Sequence, residues 1–163
     1  MGRIAMVVLA LVLLAGCATG PRYDTQQVEL ELTPARVSAG PELYQGTVVL
    51  WGGAIVATRN LSDYSEIEVL SYPLDRSQRP RVDRQPGGRF LLRQAGYLEE
   101  IDYAPGRQVT VRGALAAAVT GRVGEAPYIY PVVEAGELHL WPPAGREPAR
   151  PRFHIGIGVI FGR

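Results

Sequence analysis

The stretch from Gly46 to Thr58 reads Gly-Thr-Val-Val-Leu-Trp-Gly-Gly-Ala-Ile-Val-Ala-Thr, with β-branched and aromatic residues on both sides of a glycine pair. Such a run is strand-like, and glycine inside a strand pattern marks a bulge or a sharp bend. A long strand bent at glycine is how a small barrel turns its corners. Gly52 and Gly53 therefore narrow the fold sharply. The device recurs downstream, where Val109 and Val111 alternate with Thr110 and Arg112 until Gly113 marks a second bend before Ala114 to Val119.

The remaining segments repeat the theme. Ile67 and Val69 oppose Glu66, Glu68 and Leu70 between Ser65 and Tyr72, and Asn60 to Asp63 suits a hairpin turn before them. Pro73 ends that strand. Residues 75–89 hold seven charged residues with Pro80, Pro86, Gly87 and Gly88, which is loop composition. Phe90 to Arg93 reads as a short strand; for 96–103 a helical turn and an extended linker both stay open. Gly121 to Gly124 reads as a turn. Tyr128, Tyr130, Val132 and Val133 make another strand, which Pro127 and Pro131 confine to an edge or make irregular. Leu138, Leu140 and Trp141 form a last short one. Five or six strands and no amphipathic helix of ten residues give an all-β domain. A small closed or partly closed OB-like barrel is expected, with an open sandwich as the alternative.

The N-terminus carries an address. After Arg3, every residue from Ile4 to Ala15 is apolar. Twelve residues make about 18 Å of helix, short of a ~30 Å hydrocarbon core. A charged start, a short apolar run and a small-residue exit describe a cleavable secretory signal over residues 1–16. The exit Leu14-Ala15-Gly16-Cys17 matches the bacterial lipobox, and Cys17 is the single cysteine of the chain. Lipid attaches through that sulfur, and two or three acyl chains make the attachment effectively permanent, whereas one holds only reversibly. Ala18 in place of Asp favours the outer membrane under enterobacterial sorting. Residues 17–40 then read as lipidated N-terminus and tether, with a short strand around Val28 to Leu32, where Val28, Leu30 and Leu32 alternate with Glu29 and Glu31. Residues 41–141 read as the β domain, and 142–163 as a Pro/Arg/Gly-rich tail. In that tail Phe153, Ile155, Ile157, Val159 and Phe161 alternate with mostly small residues. This end reads as a covering strand, an interaction segment or disordered chain.

Charge and chemistry narrow the function. Once Arg3 leaves with the signal, sixteen arginines face sixteen carboxylates, with no lysine. A non-specific nucleic-acid binder carries a positive excess, so no nucleic-acid partner is expected. With Cys17 lipidated the domain has no disulfide and relies on its core. His139 and His154 stand apart, so neither metal nor cofactor is expected. No nucleophile elbow, P-loop or dinucleotide fingerprint occurs in context, and no catalytic residues emerge. Glu99-Glu100 reads as solvated surface. Four residues are candidates for binding or for fixing a loop. Asp75 and Arg79 are placed to pair across a turn between Pro73 and Pro80. Trp51 is core or a stacking platform, as is Trp141, and Tyr72 adds an aromatic beside the loop.

Gly46 to Gly53, Ile67-Glu68-Val69-Leu70-Ser71-Tyr72-Pro73-Leu74-Asp75, Arg79-Pro80 and Gly88 to Leu91 resemble the Slp family of outer-membrane lipoproteins. Gly106 to Gly113, Tyr130 to Val133 and Leu138 to Trp141 continue the likeness in the same order over about residues 41–141. The resemblance implies a non-enzymatic lipoprotein at the outer membrane, in a family named for starvation-induced members, and it supplies no catalytic residues. The expected role is envelope maintenance or a stress or starvation response, exercised through an envelope protein partner from the periplasmic face. The alternative is an OB-like binding module for a glycan, a peptidoglycan fragment or a small ligand.

Overall fold

The computed structural model describes residues 22–143. The signal, Cys17 and the alternating run at 153–161 lie outside the described residues.

Five strands form the body: β1 (Val48–Asn60), β2 (Tyr64–Ser71), β3 (Arg89–Ala95), β4 (Gln108–Val123) and β5 (Ala126–Leu140). They close into a barrel in the order β1-β2-β3-β5-β4, so the ring is complete and the open sandwich does not occur. All neighbours are antiparallel except β3 and β5, which run parallel where Leu91 to Arg93 face Val132 to Glu134. This is the OB-like architecture. The period-two pattern fills the interior with Val49, Trp51, Ile67, Val69, Phe90, Leu92, Val109, Val111 and Val133, all buried in one cluster.

The glycines make the closure feasible. β1 pairs with β4 through Ala54 and with β2 from Gly53 onward, so the strand changes partners at the glycine pair. A Cβ at Gly53 would collide with the Leu70 carbonyl, and one at Gly52 would lie 2.7 Å from the Val109 oxygen. Gly113 plays the same part in β4. The β4–β5 register shifts between Arg112 and Gly113, and a Cβ there would meet the Glu134 carbonyl. Close backbone approach at a barrel corner excludes any side chain.

Two readings change. The segments around Tyr128 and Leu138 are one continuous strand, β5, so the described residues hold five strands. Pro131 is accommodated because Tyr130 pairs with Val119 and Val132 with Ala116, which places it opposite a register shift. Bulges are where a strand can carry a residue without a ladder N–H. Pro127 pairs with Arg122 near the hairpin tip, past the reach of β3. β4 also runs through Gly121 to Val123, which leaves Gly124 and Glu125 as the turn. Past Ala116 and Val132, β4 and β5 continue together as a two-stranded arm. Residues 99–106 settle into a series of turns.

The second change concerns residues 17–40, read as tether. From Tyr23 onward the chain is packed on the barrel. Tyr23, Leu32 and Val37 are buried, and the last two belong to the main core. The Glu29 N–H donates to the Val48 carbonyl at 3.0 Å. A short helix, α1 (Pro34–Ser38), starts at Thr33, whose hydroxyl accepts the Arg36 N–H at 3.3 Å. That is an N-cap with proline in the first turn. Val28 to Leu32 is irregular rather than extended, since the Val28 N–H turns back to the Thr25 carbonyl.

Candidate functional site

The N-terminal wrap and the loop after β2 face each other across a groove of about 480 Å³, lined among others by Leu32, Pro34, Trp51, Tyr72, Asp75 and Gln78. Three of the four residues singled out in the sequence therefore come together. Their roles differ. Trp51 forms the floor: it is buried, its ring stands edge-on to Phe90 at 5.2 Å, and its indole N–H donates to the Leu32 carbonyl at 2.7 Å. It is core and wrap anchor together, and it is not an exposed stacking surface. Tyr72 is half-buried on the wall, with its N–H bonded to the Gly52 carbonyl.

Asp75 organises the loop. Its carboxylate accepts the Ser77 N–H at 2.8 Å, the Ser77 hydroxyl at 2.6 Å and the Arg79 N–H at 3.0 Å. Burial pushes the Asp75 carboxyl up, but these hydrogen bonds, with help from the Arg79 charge, outweigh it and hold the group below its ordinary value. The Asp75–Arg79 link across the turn thus runs through backbone groups, because the Asp75 N–H also donates to the Arg79 carbonyl at 2.9 Å. The Arg79 side chain goes elsewhere. Its Nε donates to Gln108 Oε1 at 3.0 Å, and its guanidinium stands 5.4 Å from the centre of the Trp141 ring. Trp141 is buried and donates to the Thr110 hydroxyl at 2.9 Å. Gln78 ties the wrap to the loop, accepting the Tyr23 N–H at 2.8 Å and donating back to its carbonyl at 3.2 Å. Burial, reinforced by the Glu137 charge, pushes the Tyr23 phenol up to about 12.

A second groove, of about 420 Å³, lies between the β4–β5 arm and the outer face of β1 and β2. Its chemistry is ionic. Glu66 is buried with Arg59 Nη2 at 2.5 Å on one oxygen and Arg93 Nε at 3.2 Å on the other, and Arg93 reaches on to Glu134 at 3.8 Å. Beside it, Glu68 takes Arg89 Nη1 at 2.6 Å, and the Tyr130 hydroxyl lies 3.1 Å from the same oxygen. Burial first, then the Glu68 charge, raises the Tyr130 phenol. The sequence reading missed this set. Its residues come from β1, β2, β3 and β5, and only the cross-strand register puts Glu66 opposite both Arg59 and Arg93. The available signal was the alternation of Glu66 and Glu68 with the core residues Ile67 and Val69.

Among the described residues no three His, Cys, Asp or Glu side chains gather as a metal-ligand set. His139 stands edge-on to Trp141 at 4.5 Å, and burial lowers its pKa. Both grooves offer fixed hydrogen-bonding groups and apolar walls.

Residues 14–157 match the outer membrane lipoprotein Slp family. The lipoprotein YeaY of Escherichia coli K12, described as uncharacterized, is 31% identical over 92% of this chain and 80% of its own length. An uncharacterized protein of Haemophilus influenzae is 34% identical over 86% of this chain and 77% of its own. The outer membrane protein Slp of Escherichia coli K12 is 26% identical over 86% and 76%. No solved structure matches the chain. The family match and these relatives show that the chain belongs to the Slp family of outer-membrane lipoproteins.

Proposed function

We propose that the protein is anchored through lipid on Cys17, after cleavage behind Leu14-Ala15-Gly16, at the periplasmic face of the outer membrane. There it acts without catalysis, in envelope maintenance or a stress or starvation response, through contact with another envelope protein. The observation that carries this reading is the docked wrap. Tyr23, held by Gln78 and Thr110, is only six residues from Cys17. Six residues span at most about 20 Å. A barrel on so short a leash works at the membrane surface, against partners that are themselves in or on that membrane.

The test has two parts. Mass spectrometry of the N-terminal peptide is expected to find Cys17 as the first residue, acylated on sulfur; a chain starting elsewhere, or a bare thiol, contradicts the anchor. A photo-reactive residue at position 72, activated in intact cells, is expected to capture another envelope protein, and absence of any adduct there and at the second groove contradicts the contact role.

A second reading is favoured by the groove beneath the β4–β5 arm. Carboxylates and guanidinium groups already paired in fixed positions suit the hydroxyls of a neutral glycan, which bring no net charge to neutralise. Titration of the protein with an uncharged N-acetylglucosamine oligosaccharide separates the readings. Saturable shifts at Glu68, Leu91 and Tyr130 support a glycan module, and none supports protein contact alone.

A further inference from the structure

The β1–β2 turn and the connection after β3 form one end of the barrel. Asn60 ties them together, donating to the Leu98 carbonyl at 3.1 Å and accepting the Leu98 N–H at 3.2 Å, and the Gly96 N–H donates to the Asp63 carbonyl at 3.2 Å. Three large apolar side chains stand exposed on these two loops: Leu61 at 48%, Tyr97 at 67% and Ile101 at 83%. Around them lie Asp63, Glu99, Glu100 and Asp102, all exposed, and residues 60–65 and 96–106 contain no arginine. Among the described residues none of these four carboxylates has an ion-pair partner, although arginines and acids are matched in number along residues 17–163 and pair widely elsewhere. An exposed apolar patch ringed by one sign of charge marks an interaction surface for something apolar and basic.

The chain itself carries such a segment. Between residues 150 and 163 it has Arg150, Arg152 and Arg163, no acid, and the apolar series Phe153, Ile155, Ile157, Val159 and Phe161. The place where this segment departs is close by. Arg107 bridges the two, its Nη2 donating to the Trp141 carbonyl at 3.0 Å and its Nη1 to the Asp102 carbonyl at 2.8 Å. Two backbone carbonyls held by one guanidinium put the root of the tail beside the Glu99–Asp102 turns. The eleven residues from 142 to 152 reach as far as about 37 Å when extended, so length places no restriction on the contact. We propose that residues 150–163 dock on this end of their own barrel, with the apolar series over Leu61, Tyr97 and Ile101 and the arginines among the four carboxylates.

The anchored protein in detergent micelles, carrying Ile157→Cys and a nitroxide on that thiol, tests this; the mass of the product verifies a single label, and a double label would instead expose an unmodified Cys17. Strong loss of the amide signals of Leu61, Tyr97 and Ile101, with those of Val82 unaffected, is the result expected. The loss is expected to shrink when Glu99, Glu100 and Asp102 are replaced by Arg and when salt is raised. Unattenuated signals at 61 and 97–102 overturn the proposal. So does loss that appears only when labelled and isotope-enriched chains are mixed, which assigns the patch to a second copy. Protection of the label by the micelle interior, with no effect on the patch, assigns the tail to lipid and overturns it equally.

Discussion

Gly113→Ala isolates the physical reason this barrel can close. The added methyl would fall on the Glu134 carbonyl oxygen, 2.8 Å from Val133 Cγ1 and 3.0 Å from the Glu134 carbonyl carbon. Carbon atoms do not approach backbone that closely in native proteins, so β4 and β5 must part locally. That movement strains the ladder at Gly113–Ala135 and Ala114–Glu134. Weakening two backbone hydrogen bonds at about 1 kcal/mol each, added to about 1–3 kcal/mol for overpacking, predicts a loss of roughly 3–5 kcal/mol. Gly136→Ala is the control, in the facing strand. Its Cβ would have 3.4 Å to the Arg112 oxygen, and its φ is ordinary. Replacing a strand glycine by alanine removes backbone entropy from the unfolded chain, so that variant should be neutral or stabilised by up to about 1 kcal/mol. Urea unfolding of wild type and both variants, comparing midpoints at a common slope, measures the difference. If Gly113→Ala unfolds within about 0.5 kcal/mol of Gly136→Ala, the corner argument is wrong.

Trp51→Phe keeps an aromatic side chain but loses the indole N–H and strands the Leu32 carbonyl, which alone should cost about 1–3 kcal/mol; it should also open the wrap, so that protease cuts near residues 22–32 before the barrel unfolds. Glu66→Gln removes the charge shared by two arginines and should cost about 1–3 kcal/mol in urea unfolding, whereas Arg59→Ala, at a residue whose side chain is 69% exposed, should cost under about 1 kcal/mol. Tyr23 gives a pH signature. Its phenol titrates at about 12 in the folded chain against 10.0 ordinarily, so the unfolded chain loses that proton first. The stability it contributes is complete below pH 10 and falls as pH rises towards 12. Tyr23→Phe should flatten that alkaline decline without abolishing it, since the Tyr103 and Tyr130 phenols are raised as well; an unchanged alkaline profile would show that the docked phenol does not contribute.

The strands were legible where one face meets the core and the other meets water. Ile67 and Val69 against Glu66 and Glu68 give a clean period of two, and the glycines of β1 and β4 announced their bends because no other residue tolerates that backbone approach. β5 was harder. Pro127 and Pro131 look like breaks in isolation, and only the partner strand shows that one sits at a register shift and the other near the free tip of the arm. The N-terminal wrap is held by Tyr23, Leu32 and Val37, spaced too widely for any periodicity, so a polar stretch with three deep anchors reads as a tether. The sites follow the same logic. Asp75 with Pro73 and Pro80 marks a fixed turn from local chemistry alone, but where the Arg79 side chain goes depends on Gln108 and Trp141, far away in sequence. The Arg59–Glu66–Arg93 set exists only through register.

The anchor at Cys17 is tested most directly by fractionating cells that carry the wild-type chain and the Cys17→Ala variant. Wild-type protein should sediment with outer membranes and resist protease added to intact cells, becoming cleavable once the outer membrane is permeabilised. Cys17→Ala should leave the outer-membrane fraction. Retention of the variant in outer membranes, or cleavage of the wild type from outside intact cells, would contradict the account.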